Sequence, residues 1–321
     1  MGNKGDDILS EEGMSMKDQE VPLTSPDRST SISQGFWKSG TKVGIIGGLG
    51  EMGRLFTDFF NKLGYRVEIA DLGTERNSRE VLESSEVVLF AVPLHRTIDV
   101  IRELIPYVRK NQLLMDVTSL KVGPVREMLR SPAAVVGLHP MFGGRISSLV
   151  GQTLVACPAR ISQQDWALTR DLFVQTGIRI KECTPEEHDR MMSVIQVLFH
   201  MTTMLVGRVL RDLTVDIGET MEYTSPSYRL EINLLGRMFA QNGALYSAIS
   251  QMNPYTKDIL ALLKEGLACY EEWYEKEDLA AFIGDFELSA QHLGDFCTQA
   301  YQESSAVLDF GVRLANLNNN S

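Results

Sequence analysis

Two residues able to move protons, Ser119 and His139, each stand directly behind a short apolar run. They sit in Val117-Thr118-Ser119-Leu120-Lys121 and His139-Pro140-Met141-Phe142-Gly143. A histidine titrates near neutral pH, so it can take a proton from an alcohol oxygen while a hydride leaves the carbon. A neighbouring hydroxyl can hold that oxygen in line. A lone histidine at such a place can equally cap a loop. The catalytic reading gains because ligands of doubly wound sheets bind at the carboxyl ends of the strands, where both residues would lie. Further along, Arg229 and Arg237 are eight residues apart. On a helix of 3.6 residues per turn they fall within ~80° of each other. Such an arginine can grip a carboxylate with two parallel hydrogen bonds. The spacing fits a surface ion pair just as well. Of the other histidines, His95 opens a helical pattern as a cap or cofactor contact. His188 and His200 lie on a long helical pattern and read as structural, and His292 as surface or interface.

The element that would position a cofactor against these residues is the stretch from Lys42 to Gly53. An apolar run, Val43-Gly44-Ile45-Ile46, leads into Gly48-Leu49-Gly50-Glu51-Met52-Gly53, and helical spacing follows over 54–63. Strand, glycine turn and helix in that order form a dinucleotide-binding fingerprint. Gly48 is expected to make the tight turn. Gly50 would let a pyrophosphate approach, and Gly53 would let helix and strand pack closely. Leu49 and Met52 complete the cofactor loop. The helix N-terminus offers free N–H groups to phosphate. A second apolar run, 65–70, ends at Asp71, about twenty residues past the glycines, where an acid binds a ribose 2′-hydroxyl. A carboxylate there repels a 2′-phosphate, so NAD is expected over NADP. Val92 and Pro93, behind a third run, would pass beside the nicotinamide and its ribose.

Around these points apolar runs alternate with helical patterns. Strands are expected over 86–92, 112–117, 133–138, 152–157 and 178–183. Helices are expected over 78–84, 94–108 and 163–176, and Thr118–Lys121 leads into another that ends at Arg130. Such alternation implies a mostly parallel sheet with helices on both faces, a Rossmann-type α/β domain over 41–183. Strand signals then stop. Thr184-Pro185-Glu186-Glu187 is a helix start with a capping hydroxyl, Pro at the first helical position and acids in the first turn. This helix is expected to run beyond Gly207, and further helices are expected over 227–241, 243–251, 256–276 and 279–314. Residues 184–321 thus read as an all-helical substrate domain. Its apolar stripes are too rich for one thin layer, which predicts a homodimer interface. Residues 1–40, polar and without apolar periodicity, read as a disordered tail.

The 321 residues suffice for two domains, and a net charge of -11 argues against nucleic acid or an anionic membrane as main partner. No apolar run reaches the ~20 residues of a membrane span. The four cysteines, Cys157, Cys183, Cys269 and Cys297, form no CxxC pair. They read as reduced thiols of a cytoplasmic protein without a metal site.

Taken together, these motifs resemble the prephenate dehydrogenase family, most closely the dehydrogenase part of bifunctional chorismate mutase–prephenate dehydrogenases. The carrying segments are the glycine loop, Val117–Lys121, 137–143, Glu187-His188-Asp189, 225–231 and Gly236-Arg237-Met238-Phe239-Ala240-Gln241. They span about 42–310. The resemblance implies NAD-dependent oxidative decarboxylation of a cyclohexadienol such as prephenate. By that resemblance His139 deprotonates the C4 hydroxyl and Ser119 hydrogen-bonds it. Arg237 grips a substrate carboxylate, Arg229 has a supporting role, and Tyr246 lines the pocket. No counterpart of the mutase helices precedes residue 41, so no mutase activity is expected. The family tends to continue after Gly143 with Pro and an acid, whereas this chain has Gly144-Arg145. That reverses a charge near the expected site of the substrate carboxylates and leaves 4-amino-4-deoxyprephenate as the alternative substrate. A protein that senses NAD without chemistry is a more distant alternative, since a sensor needs none of Ser119, His139 and Arg237.

Overall fold

The computed structural model describes residues 35–319, with side chains through residue 314. Seven strands form one sheet in the order β2-β1-β3-β4-β5-β6-β7. They are β1 (Lys42–Ile46), β2 (Arg66–Ala70), β3 (Val87–Phe90), β4 (Leu113–Asp116), β5 (Ala134–Pro140), β6 (Thr153–Arg160) and β7 (Arg179–Glu182). The first five run parallel, β6 is antiparallel to β5, and β7 is parallel to β6. β3 and β4 are buried along their whole length. This is why they read as unbroken apolar runs: helices cover both faces. One face packs α1 (Glu51–Lys62) and α5 (Gln163–Val174) through Phe56, Phe59, Phe60 and Phe173. The other packs α2 (Ser78–Ser84), α3 (Leu94–Leu104) and α4 (Val122–Met128) through Leu82, Ile101 and Met128. A 3₁₀ turn, Ile105–Tyr107, ends the expected helix over 94–108, because Pro106 cannot continue the α-helical hydrogen-bond ladder. Since β2 and β3 flank β1, the strand order reverses at β1, which opens the crevice where such sheets bind ligands.

The expected tail needs correction at its end. Residues 1–34 lie outside the described residues, but Trp37 is 1% exposed. Its ring stacks on Phe60 at 5.6 Å, and its Nε1 donates to Thr169 Oγ1 at 2.8 Å. Two aromatics in a polar stretch carry no period, so pattern could not place them.

After β7 the chain is helical. Thr184 closes a reciprocal capping box with Glu187 and starts α6 (Pro185–Met192). A π-helical stretch, Ser193–Leu198, joins it to α7 (Phe199–Asp212). There follow α8 (Ile217–Glu222), α9 (Pro226–Phe239), α10 (Gly243–Met252), α11 (Thr256–Glu275), α12 (Leu279–Leu293) and α13 (Phe296–Asn319). The single helix expected over 279–314 is two, broken at Gly294, where φ is +57°. The continuous helix Pro185–Asp212 is long and apolar enough to cross a membrane by length and composition, contrary to the expectation from uninterrupted runs. Gln196, His200, Thr202 and Thr203 interrupt its apolar runs, which is why run length alone passed over it. Many large apolar side chains of α7 to α12 stand exposed, among them Phe199, Leu234, Leu262 and Phe286.

Candidate active site

The glycine loop joins β1 to α1. Here the tight turn belongs to Gly47, not Gly48: φ at Gly47 is +89°. A Cβ on Gly47 would lie 2.6 Å from the carbonyl oxygen of Ala91 and 2.9 Å from the nitrogen of Val92. That contact brings Val92 against the loop, with Pro93 following as the N-cap of α3. Gly48 is required for another reason, since a Cβ there would meet Ile69 at 2.5 Å. Gly53 matches its expected role: its Cβ would lie 2.1 Å from the carbonyl oxygen of Gly47. Gly50 caps α1 without a side chain. The first N–H groups of the helix, including that of Met52, therefore have no side-chain acceptor and suit a pyrophosphate. Asp71 closes the loop from the end of β2, its Oδ2 accepting from Leu49 N at 2.8 Å. These features fit a dinucleotide bound across the β1/β3 crevice.

The loop after β5 lies over the same helix end. Gly144 packs on the backbone of Glu51, and Arg145 donates to Glu51 Oε1 from Nε at 2.7 Å and from Nη2 at 2.5 Å. The reversed charge is thus paired with the first turn of α1.

His139, near the end of β5, heads a buried polar chain. Its Nδ1 is 2.9 Å from His188 Nε2, and His188 Nδ1 is 2.7 Å from Asp189 Oδ1. The Asp189 carboxylate also accepts from Lys121 N at 2.7 Å and Val122 N at 3.0 Å. Lys121 is fully buried, pairs with Asp116 and donates to Leu138 O at 2.7 Å, one residue before His139. Burial pushes the pKa of His139 well below the ordinary 6.5, and the charges of His188 and Lys121 add to this. Burial also lowers His188, opposed by its bond to Asp189. Sequence reading missed His188 as a partner of His139. Its signal was the acid directly after it, two polar residues that α6 buries against the sheet.

Ser119 lies half-buried in the turn after β4, and its hydroxyl makes no hydrogen bond among the described residues. The other ring nitrogen of His139, Nε2, faces Gln196 Nε2 at 3.5 Å. Gln196 sits on the π-helical stretch, and its buried Oε1 has no partner. Such local widenings of a helix recur at functional sites.

One helical turn beyond Gln196, His200 opens onto a cavity of about 510 Å³ lined by Phe199, His200, Tyr228, Arg237, Gln241 and Tyr246. The rings of His200 and Tyr246 meet edge to face at 4.7 Å. Burial raises the pKa of the Tyr246 hydroxyl, while the charge of Arg237 pulls against it. Neither Arg237 nor Arg229 forms an ion pair among the described residues, which removes the surface-pair reading for both. Arg229 does not line the cavity; Arg237 does.

Residues 57–182 match the prephenate dehydrogenase nucleotide-binding domain, and residues 184–287 the prephenate dehydrogenase dimerization domain. The T-protein of Haemophilus influenzae is 34% identical over 273 residues, which cover 83% of this chain and 71% of that protein. A probable arogenate/prephenate dehydrogenase of Methanocaldococcus jannaschii is 30% identical, over 86% of this chain and 66% of its own length. The fold matches a crystal structure of A. aeolicus prephenate dehydrogenase in complex with hydroxyphenyl propionate and NAD+. The TM-score is 0.63 at 17% identity, over 80% of this chain and 99% of that one. With both domain models matched in order along one chain, the protein is an NAD-dependent dehydrogenase that belongs to the prephenate dehydrogenase family.

Proposed function

We propose that the protein oxidatively decarboxylates prephenate to 4-hydroxyphenylpyruvate, the step that leads toward tyrosine. The observation that carries this reading is His139: one ring nitrogen is tied into the buried chain, and the other faces Gln196, one helical turn before His200 on the wall of the cavity that holds the unpaired Arg237. Bound NAD supplies the hydride acceptor. His139 Nε2 takes the C4 hydroxyl proton as hydride leaves C4. The ring carboxylate departs as CO2, and the electrons of that bond complete an aromatic ring. Ser119 holds the C4 hydroxyl, and Arg237, with Tyr246 beside it, grips a carboxylate. Arg229, outside the cavity lining, has the supporting role and no direct hold on the substrate. The cleft needs only to orient ring and nicotinamide, because loss of CO2 drives the reaction.

Because Arg145 is paired with Glu51, its reversed charge gives no reason to prefer the 4-amino analogue over prephenate. A 4-amino-4-deoxyprephenate dehydrogenase of Streptomyces pristinaespiralis is also similar, at 26% identity over 75% of this chain and 88% of its own length. The functional assembly is a homodimer through the helices from α7 onward, whose exposed apolar side chains it covers. The test is NADH absorbance with prephenate and 4-amino-4-deoxyprephenate side by side. Turnover of prephenate at least tenfold more efficient is expected, with 4-hydroxyphenylpyruvate as product. Preference for the amino compound would reverse the assignment.

A further inference from the structure

We propose that His188 and Asp189 are positioning residues: they fix which ring nitrogen of His139 is free to act and share the positive charge that His139 acquires. This rests on the reading of His139 as the base.

The direction of the chain follows from what each group can do. A carboxylate only accepts hydrogen bonds. Asp189 already receives two backbone N–H groups, so His188 Nδ1 must carry the hydrogen it gives to Oδ1. In neutral His188 the other nitrogen, Nε2, then holds a lone pair. It can only accept, so His139 Nδ1 carries the hydrogen between the rings. Neutral His139 is left with its lone pair on Nε2, the atom that faces Gln196. Gln196 Nε2, a donor 3.5 Å from His139 Nε2, supports the same tautomer over a longer contact, so His188 at 2.9 Å is the stronger of the two constraints, and only this tautomer presents a base to the substrate.

The same chain acts once the proton arrives. The substrate O–H bond breaks and its proton joins His139 Nε2, while hydride leaves with NAD. His139 is then an imidazolium with Nδ1–H still directed at His188. Passing that hydrogen to His188 Nε2 leaves the charge one bond from the Asp189 carboxylate. The remaining ionisable groups nearby do not supply this. Lys121 is held by Asp116, and burial keeps the Cys157 and Cys183 thiols neutral. His139 is 4% exposed and His188 and Asp189 are each 1% exposed, so water cannot take over the task.

Asp189 also holds the start of α4 through Lys121 N and Val122 N, so a purely structural role is the competing account. The experiment uses the full chain, with prephenate and NAD as substrates. ¹⁵N spectra of the wild-type histidines should show the Nδ1–H tautomer at His139; the Nε2–H tautomer would overturn the proposal without any variant. His188→Leu should lower kcat on the order of 10²–10⁴-fold, the range set by a histidine in the wrong tautomer. KM for both substrates should stay within about threefold, because no binding contact is lost. His188→Gln keeps an acceptor for Nδ1–H and should recover part of kcat. Asp189→Asn should lower kcat and move the acid limb of kcat/KM to lower pH, since the charge that favours the imidazolium is gone. A His188→Leu enzyme with kcat within about threefold of wild type, beside a His139→Asn enzyme that has lost it, would remove the relay and leave the base in place. Retained kcat in His139→Asn would instead remove the base, and the relay with it.

Discussion

His139 and Arg237 are expected to fail differently. His139→Asn keeps a hydrogen-bond donor but cannot accept a proton at neutral pH. Its kcat should fall on the order of 10²–10⁴-fold, the usual worth of a positioned base. Arg237→Gln loses a clamp that acts in the ground state too, so KM for the substrate should rise more than kcat drops. Steady-state kinetics with NAD titrated separately distinguishes them, and near-normal kcat in His139→Asn would pass the role of base to a water held by Ser119. Because burial depresses the pKa of His139, the acid limb of wild-type kcat/KM should lie below the ordinary 6.5. Asp71, at the end of β2 beside the glycine loop, is proposed to meet the cofactor's ribose. Asp71→Ala should narrow the preference for NAD over NADP, read as the ratio of kcat/KM values. A wild-type enzyme that uses both equally would show that Asp71 does not meet the 2′ position.

Elements turn these residues toward each other. The β1–α1 turn is shaped at Gly47 by its closeness to Ala91, and at Gly48 by Ile69 on the next strand, so each glycine answers to a neighbour distant in sequence. The Phe36-Trp37 segment answers to α1 and α5 in the same way. Two truncations test it. A chain beginning at Gly35 should keep its melting temperature and activity. A chain beginning at Thr41 loses a Trp that is 1% exposed and should be less stable by about 3–5 kcal/mol, the range for emptying a buried aromatic site. Equal denaturation midpoints for the two would show that Trp37 contributes nothing. Where Pro185–Asp212 widens into a π-helical stretch, Gln196 comes to His139 while His200 stays on the cavity wall.

For the whole molecule, α12 leaves Phe282 and Phe286 55% and 69% exposed, one helical turn apart. A dimer that covers them is expected in analytical ultracentrifugation at twice the chain mass. Phe286→Glu should weaken it at least tenfold. A wild-type monomer at micromolar concentration would contradict the assembly. Acid should also weaken the fold. Burial holds His139, His188 and His200 below the ordinary 6.5, so the unfolded chain binds protons before the native one does. Stability therefore rises with pH through that window and is lost as pH falls from about 6.5 toward the depressed native values. Melting temperatures between pH 7.5 and 5.5 should fall steadily, and His139→Asn should flatten the slope; a flat wild-type profile would refute the linkage.

Local rules carried much of this protein. The strand, glycine loop and helix in that order, an acid at the end of the second strand, the reciprocal cap at Thr184 and the alternation of strands and helices are encoded by neighbours a few residues apart, and the structure has these elements, with the tight turn moved from Gly48 to Gly47. What local rules could not reach were contacts across the fold. That β6 runs antiparallel to β5 was not legible, because an apolar run has no direction of its own. Gly47 takes the turn because Ala91 crowds it, and Trp37 is core because Phe60 and Thr169 are there to receive it. His188 read as an ordinary helix residue until packing set it, with Asp189 behind it, against His139, 49 positions before it. A proton-transfer chain of that kind depends on separations near 3 Å between distant segments, and only tertiary packing fixes those.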